Sequence, residues 1–197
     1  MDYLFERSNG NWYLNTDVTV TASVDVRDVT LNLCLNGHTV TMTGSGSVIK
    51  VNSGVEFTLA DCSESGSGTV TGGNADNGGG VYVEGTFNMN GGTISGNTAT
   101  DNGGGVYVDG IFNVSGKSSV QNNTSNSITN NVYLPSGKTI IVNTSLSGGT
   151  IGVTTAIAPT NDAPVAVTGG TEIKAPMPGT ILDIKVAVGD TVEAGQA

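Results

Sequence analysis

The chain has 197 residues, of which 30 are glycine and 12% are charged, and its formal net charge is -10. A nucleic-acid-binding protein needs a basic surface for phosphate groups, so this acidic balance excludes nucleic acid as a partner. No apolar run of about eighteen residues occurs, so no transmembrane helix is predicted. The many Val, Thr and Ile residues argue against a disordered chain. The length predicts one large domain, or one domain with a small appendage.

The first residues, 1–7, lack the basic start and apolar stretch of a secretory signal. Either the protein is cytoplasmic or its signal lies outside this chain. Strand-like segments follow, and the strongest is 29–42, which an Asn36-Gly37 turn interrupts. The only histidine, His38, is expected at a strand edge after that turn. Aromatic residues near the start are expected to cap the first strands: Tyr3, Phe5 and Trp12.

Two cysteines, Cys34 and Cys62, are too few for a disulfide framework or a metal site. Cys34 lies in the apolar run 31–35, which predicts a small buried hydrophobic side chain. A bridge to Cys62 remains open if successive coils bring the two residues together, because spacing alone does not decide it.

An internal repeat dominates the middle of the chain. Residues 76–83 recur as 101–108, with a period of 25, and a weaker copy lies at 131–134. Each repeat holds three short strand signals separated by Gly, Asn, Asp and Ser, which is typical of one coil of a parallel β-helix. Inward positions of one coil should stack on those of the next: Val81, Val83, Phe87 and Met89 near Val106, Val108, Phe112 and Val114.

The same register predicts an outward or edge ladder of Tyr82, Tyr107 and Tyr133. Glu84 and Asp109 occupy equivalent positions, so they are expected to stack about 5 Å apart on one face. That separation suits a retaining glycosidase. A solvated acidic stripe explains the same residues and is the preferred interpretation. These five residues form the candidate surface contact ladder.

Calcium is the other chemistry considered, because Asp76 and Asp101 begin repeated Asp-Asn-Gly corners. The Gly-Gly-x-Gly-x-Asp order of calcium-binding repeats is absent, and corner geometry explains both residues. Thr-rich strands such as 39–41 would suit an ice-binding surface, but no regular threonine array over many coils is expected. We therefore predict no catalytic residues, no cofactor and no metal site.

The segment 33–40, Leu-Cys-Leu-Asn-Gly-His-Thr-Val, resembles a strand of bacterial surface proteins with right-handed parallel β-helix repeats. The Gly-Gly-Gly-Val-Tyr-Val element at 78–83, followed by Phe-Asn-Met-Asn at 87–90, resembles the paired repeats of chlamydial polymorphic outer membrane proteins; the second copy departs at Ser115. The resemblance covers about residues 12–168. It implies a secreted or surface-exposed, adhesin-like solenoid.

Residues 171–197 resemble the first half of a biotinyl (biotin carboxyl carrier) domain, through Ala-Pro-Met-Pro-Gly and Val-Gly-Asp-Thr-Val-Glu-Ala-Gly-Gln. That family places its biotin-accepting lysine in an Ala-Met-Lys-Met turn, and neither Lys174 nor Lys185 has this context. The segment is a fusion artefact, a cap on the solenoid, or a half domain that pairs in trans.

Together these observations predict an all-β protein: a right-handed parallel β-helix of about six coils over residues 12–168, within a domain spanning 1–168, and a partial biotinyl-like segment at 169–197. The expected function is a non-enzymatic surface or secreted solenoid that contacts carbohydrate, a host or cell surface, or another surface protein. The alternatives are a carbohydrate-active β-helix enzyme and a fragment of a biotin-dependent carboxylase or decarboxylase. Self-association through the solenoid end or through C-terminal edge strands is a further expectation.

Overall fold

The computed structural model describes residues 11–144, 146 and 148–158, together with the backbone of 4–8 and 167–168. Within these residues the chain forms 21 strands and no helix. Nearly all strand pairs are parallel, and they stack as a β-solenoid of about five coils, each coil being one full turn of the solenoid. The predicted all-β parallel solenoid is confirmed. None of the described residues forms a helix long and apolar enough to cross a membrane.

Three sheets form the walls of the solenoid. Sheet A holds eleven strands: β1 (Leu4–Ser8), β2 (Asn11–Leu14), β3 (Val18–Val20), β5 (Leu31–Cys34), β6 (Thr39–Met42), β8 (Glu56–Ala60), β9 (Thr69–Thr71), β12 (Thr86–Ile94), β15 (Ile111–Val120), β19 (Ile140–Val142) and β21 (Val167–Thr168). Sheet B holds β4 (Val24–Val26), β7 (Ile49–Val51), β11 (Val81–Val83), β14 (Val106–Val108), β18 (Val132–Leu134) and β20 (Val153–Thr155). Sheet C holds β10 (Asn74–Asn77), β13 (Thr98–Asn102), β16 (Thr124–Ser125) and β17 (Ile128–Thr129).

The predicted register is confirmed in the core. Val81 pairs with Val106 and Phe87 with Phe112, so like residues face like residues one coil along. The rings of Phe57, Phe87 and Phe112 stack inside the solenoid, with centroids 5.6 and 5.1 Å apart, and all three are at most 1% exposed. Because period-2 alternation points every second side chain inward, short strands are enough to fill this narrow core.

A second buried column is polar. The side chains of Asn97, Asn123 and Asn131 form a hydrogen-bonded column beside sheet C and are exposed by 1%, 0% and 7%. The Asn123 Oδ1 atom accepts the backbone N–H and the amide N–H of Asn97, both at 3.0 Å, and the Asn131 Oδ1 atom accepts the backbone N–H of Asn123 at 2.8 Å. These asparagine side chains therefore form hydrogen bonds with backbone groups at the corners, which have no partner in a neighbouring strand.

Two of the short strand signals of one repeat, at 86–89 and 93–95, are joined in one strand, β12, which bends between its sheet A neighbours β8 and β9. The bend uses Gly92, whose φ of 86° is disfavoured for residues with a Cβ atom. At a neighbouring corner, a Cβ atom on Gly110 would lie 2.0 Å from the carbonyl oxygen of Gly85. Glycine thus allows the backbone to turn at residue 92 and lets two backbone segments approach closely at residue 110.

The solenoid has about five coils and not the six expected, because coil length varies. Asn88 and Asn113, partners in adjacent coils, are 25 residues apart, whereas Thr58 and Asn88 are 30 apart. The longer coil contains an irregular stretch between β8 and β9. A single period taken from the best-matched repeats overestimates the number of coils.

At the N-terminus, β1 pairs antiparallel with β2 and forms one edge of sheet A. Trp12 lies on β2 and is half-buried, but the side chains of Tyr3 and Phe5 lie outside the described residues. At the other end, β21 pairs with β19. Residues 169–197 are also outside the described part of the chain, so the domain boundary at 168 and the biotinyl-like segment stay predictions.

Candidate functional site

The tyrosine ladder occupies the outer face of sheet B. Tyr82 lies 5.3 Å from Tyr107 and Tyr107 lies 5.7 Å from Tyr133, measured between ring centroids, with interplanar angles of 5° and 13°. Each tyrosine stands between two buried core residues of its strand, so strand alternation directs the ring outward. The predicted stacking of the three tyrosine rings is confirmed.

Parallel stacking determines what the ladder offers to a partner. Each ring covers much of the face of the next, so the edges of the rings and their hydroxyl groups form the accessible row. Burial, followed by the charge of Glu84, raises the pKa of Tyr82; burial and the Asp109 carboxylate raise the pKa of Tyr107. The phenols of Tyr82 and Tyr107 therefore stay protonated at neutral pH and act as hydrogen-bond donors as well as acceptors.

Lysines accompany both predicted acidic residues. Lys50 lies 3.6 Å from the Glu84 carboxylate and 5.8 Å from the centroid of the Tyr82 ring, and Lys138 lies 3.5 Å from the Asp109 carboxylate. Lys50 also occupies the tyrosine column itself, because it pairs with Tyr82 across the sheet. Both lysines lie outside the best-matched repeats, so the repeat pattern does not indicate them.

The prediction that Cys34 is a buried hydrophobic residue is wrong. Cys34 is half-buried and forms a disulfide with Cys62, with a Cα–Cα distance of 5.9 Å. Its neighbour Leu35 is fully buried, whereas Cys34 pairs in register with Ala60 on the outer face of sheet A. Alternation within the apolar run thus directs the sulfur outward, and the coil length brings Cys62 to the same corner.

Asp61 reinforces that corner. Its carboxylate accepts backbone N–H groups from Gly37 at 2.9 Å, Ser63 at 3.1 Å and Gly68 at 2.6 Å. Burial alone would raise the pKa of Asp61, but these hydrogen bonds, led by that of Gly68, outweigh it and hold the pKa below its usual value. The Asn36-Gly37 turn and the loop after β8 are therefore fastened by one carboxylate beside the disulfide.

Replacing Asp61 with alanine is expected to lower the free energy of unfolding at pH 7 by about 2 kcal/mol, because three charge-assisted hydrogen bonds are lost from a partly solvated site. A carboxyl group whose folded pKa is lowered stabilises the fold above its unfolded pKa of about 4, and this stabilisation is lost as the pH falls through the folded value. Urea unfolding at a series of pH values should show the difference between wild type and variant shrinking below about pH 4.

Asp76→Ala is the control, because the exposed Asp76 carboxylate accepts one hydrogen bond among the described residues, from the Thr100 hydroxyl at 3.1 Å. An Asp61→Ala effect that does not change with pH would contradict the role given to the ionised carboxylate.

The other residues considered from the sequence have local roles. His38 follows the Asn36-Gly37 turn as expected, and its Nδ1 atom lies 3.2 Å from the Asp17 carboxylate. Asp76 and Asp101 lie on β10 and β13, and no group of three or more His, Cys, Asp or Glu residues gathers in the described chain. Threonines do align in register, as Thr39, Thr69 and Thr93 in one column and Thr41 and Thr71 in another. This array ends at the buried Ser119.

The comparisons with known proteins give no relative. No family matches the chain, and neither a curated protein nor a solved structure matches it.

Proposed function

We propose that this chain is a non-enzymatic extracellular or cell-surface solenoid of adhesin-like type, and that the tyrosine ladder is its contact surface. The observation that carries the proposal is the continuous outward row of Tyr82, Tyr107 and Tyr133. Aromatic residues with a polar end are enriched at binding surfaces, since they supply contact area and hydrogen bonds at a small entropic cost. Its partner is carbohydrate or another surface protein.

The disulfide supports the extracellular part of the proposal. Disulfides persist in oxidising compartments and are rare in the reducing cytosol. The Cys34–Cys62 bridge forms one such link within the first coils. Residues 33–40 resemble a strand of bacterial surface proteins with right-handed parallel β-helix repeats, and residues 78–90 resemble the repeats of chlamydial polymorphic outer membrane proteins. Both resemblances point the same way.

The pairing of the acids with lysines supports a non-enzymatic role. A retaining glycosidase needs one carboxyl group free to act as nucleophile and another to act as acid. Glu84 and Asp109 each lie beside a lysine on an open face. This arrangement favours a mixed-charge contact surface. The biotinyl-type character of residues 169–197 is proposed from sequence resemblance alone.

Microspheres coated with the whole chain should bind to at least one surface in a panel of printed glycans and cultured cells. Tyr107→Ala removes the middle of the ladder and is expected to reduce bound microspheres by about fivefold, since central aromatic residues carry much of the energy of an interface. Counting bound microspheres after washing measures the effect.

Thr154→Ala is the matched control, because Thr154 pairs with Tyr133 and continues the same column beyond the ladder. Equal adhesion by Tyr107→Ala and wild type would reject the ladder as the contact surface. The same preparations should release no product from acidic polysaccharides; release that Glu84→Gln abolishes would establish the enzyme alternative instead.

A further inference from the structure

A groove of about 590 Å³ lies on the outer face of sheet A, across the first coils. Its size falls in the range of ligand pockets, which is about 300–1,000 Å³. Two columns of residues that run from coil to coil contribute to it, one beginning at Asn11 and the other at Tyr13. The residues lining it are Asn11, Trp12, Tyr13, Asn32, Leu33, Cys34, Thr58, Ala60, Cys62 and Asn90.

Strand register explains why a depression forms here. Tyr13 pairs with Cys34, and Cys34 pairs with Ala60, so the column passes from a ring to a disulfide to a single methyl group. The bulkier Asn90 follows on β12. The disulfide to Cys62 borders the low point, so the same bridge that fastens the corner also shapes the groove.

Among the described residues, none that lines the groove is charged, although the chain has a net charge of -10. A second groove beside β4, by comparison, contains Arg27 and Asp28. An uncharged lining favours an uncharged ligand, since a buried charge without a partner is costly. Polyanions, nucleic acids and uronic-acid polymers are therefore poor candidates for this groove.

The polar side chains of the lining include three amides and the hydroxyl groups of Tyr13 and Thr58, all of which both donate and accept hydrogen bonds. The Asn32 amide is half-buried and has no hydrogen-bond partner among the described residues, whereas Asn90 accepts a hydrogen bond from Ser115 at 2.7 Å. Apolar surface from Ala60 and the disulfide lies between these groups. Alternating hydroxyl and C–H surface is the chemistry of a neutral sugar ring.

We propose that this groove is a binding site for a neutral oligosaccharide, with Asn32 as its central hydrogen-bonding residue. The proposal deepens the surface-contact function and rests on it for biological context, but the site is separate. The groove lies on sheet A and the tyrosine ladder on sheet B. Experiments can therefore reject the proposal for one site without rejecting the proposal for the other.

Isothermal titration calorimetry of the whole chain with cellohexaose, mannohexaose and maltohexaose tests the proposal. Hexagalacturonate is the charged ligand for comparison. At least one neutral probe should bind with a millimolar or lower Kd, and Asn32→Leu should weaken that binding by about tenfold, as expected for the loss of one good hydrogen bond to a ligand. Hexagalacturonate should bind more weakly than the neutral probe.

Asn113→Leu is the matched control, because Asn113 belongs to the same outward column as Asn32, Thr58 and Asn88 but lies outside the groove. Its Kd should equal that of the wild type, and so should that of Tyr107→Ala. The proposal is overturned if no neutral probe binds, if hexagalacturonate binds as tightly, or if Asn32→Leu binds as well as the wild type. Loss of binding in Tyr107→Ala would instead assign the sugar to the ladder.

Discussion

Replacing Asn123 with alanine is expected to lower the free energy of unfolding by about 4 kcal/mol, the largest effect of any substitution considered for this chain. The Asn123 side chain is fully buried and is the middle member of the polar column. Its Oδ1 atom is the acceptor for the Asn97 backbone N–H at 3.0 Å, and its amide donates to the carbonyl of Gln121 at 2.9 Å. Alanine removes the hydrogen-bond partner of both backbone groups, and in this buried position water does not replace it.

The magnitude follows from how many groups lose a partner at once. A buried polar group without a hydrogen bond costs about 1–3 kcal/mol. The amide of Asn123 also donates to the carbonyl of Ile94 at 2.9 Å and to Asn131 at 3.2 Å, so the loss extends over adjacent coils. Urea titration followed by far-UV circular dichroism measures the change.

Asn113→Ala is the control for this prediction. Asn113 is half-buried and belongs to an outer ladder, where its amide donates to the Oδ1 atom of Asn88 at 2.7 Å. Water replaces that bond when the side chain is removed, so the expected loss is about 1 kcal/mol or less. Similar losses for the inner and outer asparagines would contradict the view that burial makes the inner column costly to break.

The inward-facing residues and the register of the middle coils can be predicted from the sequence, because the repeat is regular there. Alternation within 81–83 and 106–108 fixes which residues face inward, and the 25-residue period then places Val81 on Val106 and Tyr82 on Tyr107. The segment 55–59 also resembles 86–89 in sequence, and Phe57 pairs with Phe87. Parallel stacking converts sequence periodicity directly into spatial contact.

The features that escaped prediction lie where the period is irregular. Lys50 stands in the tyrosine column, but it lies 32 residues before Tyr82 and shows no resemblance to it. The three hydrogen bonds of Asp61 join residues on both sides of a corner, and no local pattern indicates them. The neutral groove depends on Ala60 lying between Cys34 and Asn90, which becomes visible only once the register of three coils is known.

The low charge content of the chain, 12% of its residues, acquires a structural explanation. Equivalent positions in adjacent coils are close, so like charges stacked there would repel. At Glu84 and Asp109 the chain places a lysine beside each acid, and Asp25 pairs in register with Lys50. Charge is thus compensated along sheet B. The outer face of sheet A around Asn32 avoids the problem by carrying no charge within the groove.

Removing the disulfide, by Cys34→Ala with Cys62→Ala, is expected to lower the free energy of unfolding by about 3–4 kcal/mol. The bridge closes a loop with a sequence separation of 28 residues, and a loop of that length loses about this much entropy when cross-linked in the unfolded chain. The loss should be concentrated near β5 and β8, because in a solenoid each coil contacts only its neighbours. Hydrogen exchange should therefore accelerate at 31–60 well before 106–134.

Treatment of the wild type with a reducing agent should reproduce the stability of the double variant, and the same agent should leave the double variant unchanged. These paired measurements separate the covalent link from the packing of the two sulfur atoms. Equal acceleration of exchange along the whole solenoid would contradict a local fastening of the first coils. A change below about 1 kcal/mol would mean that Asp61 and its three hydrogen bonds hold this corner without the bridge.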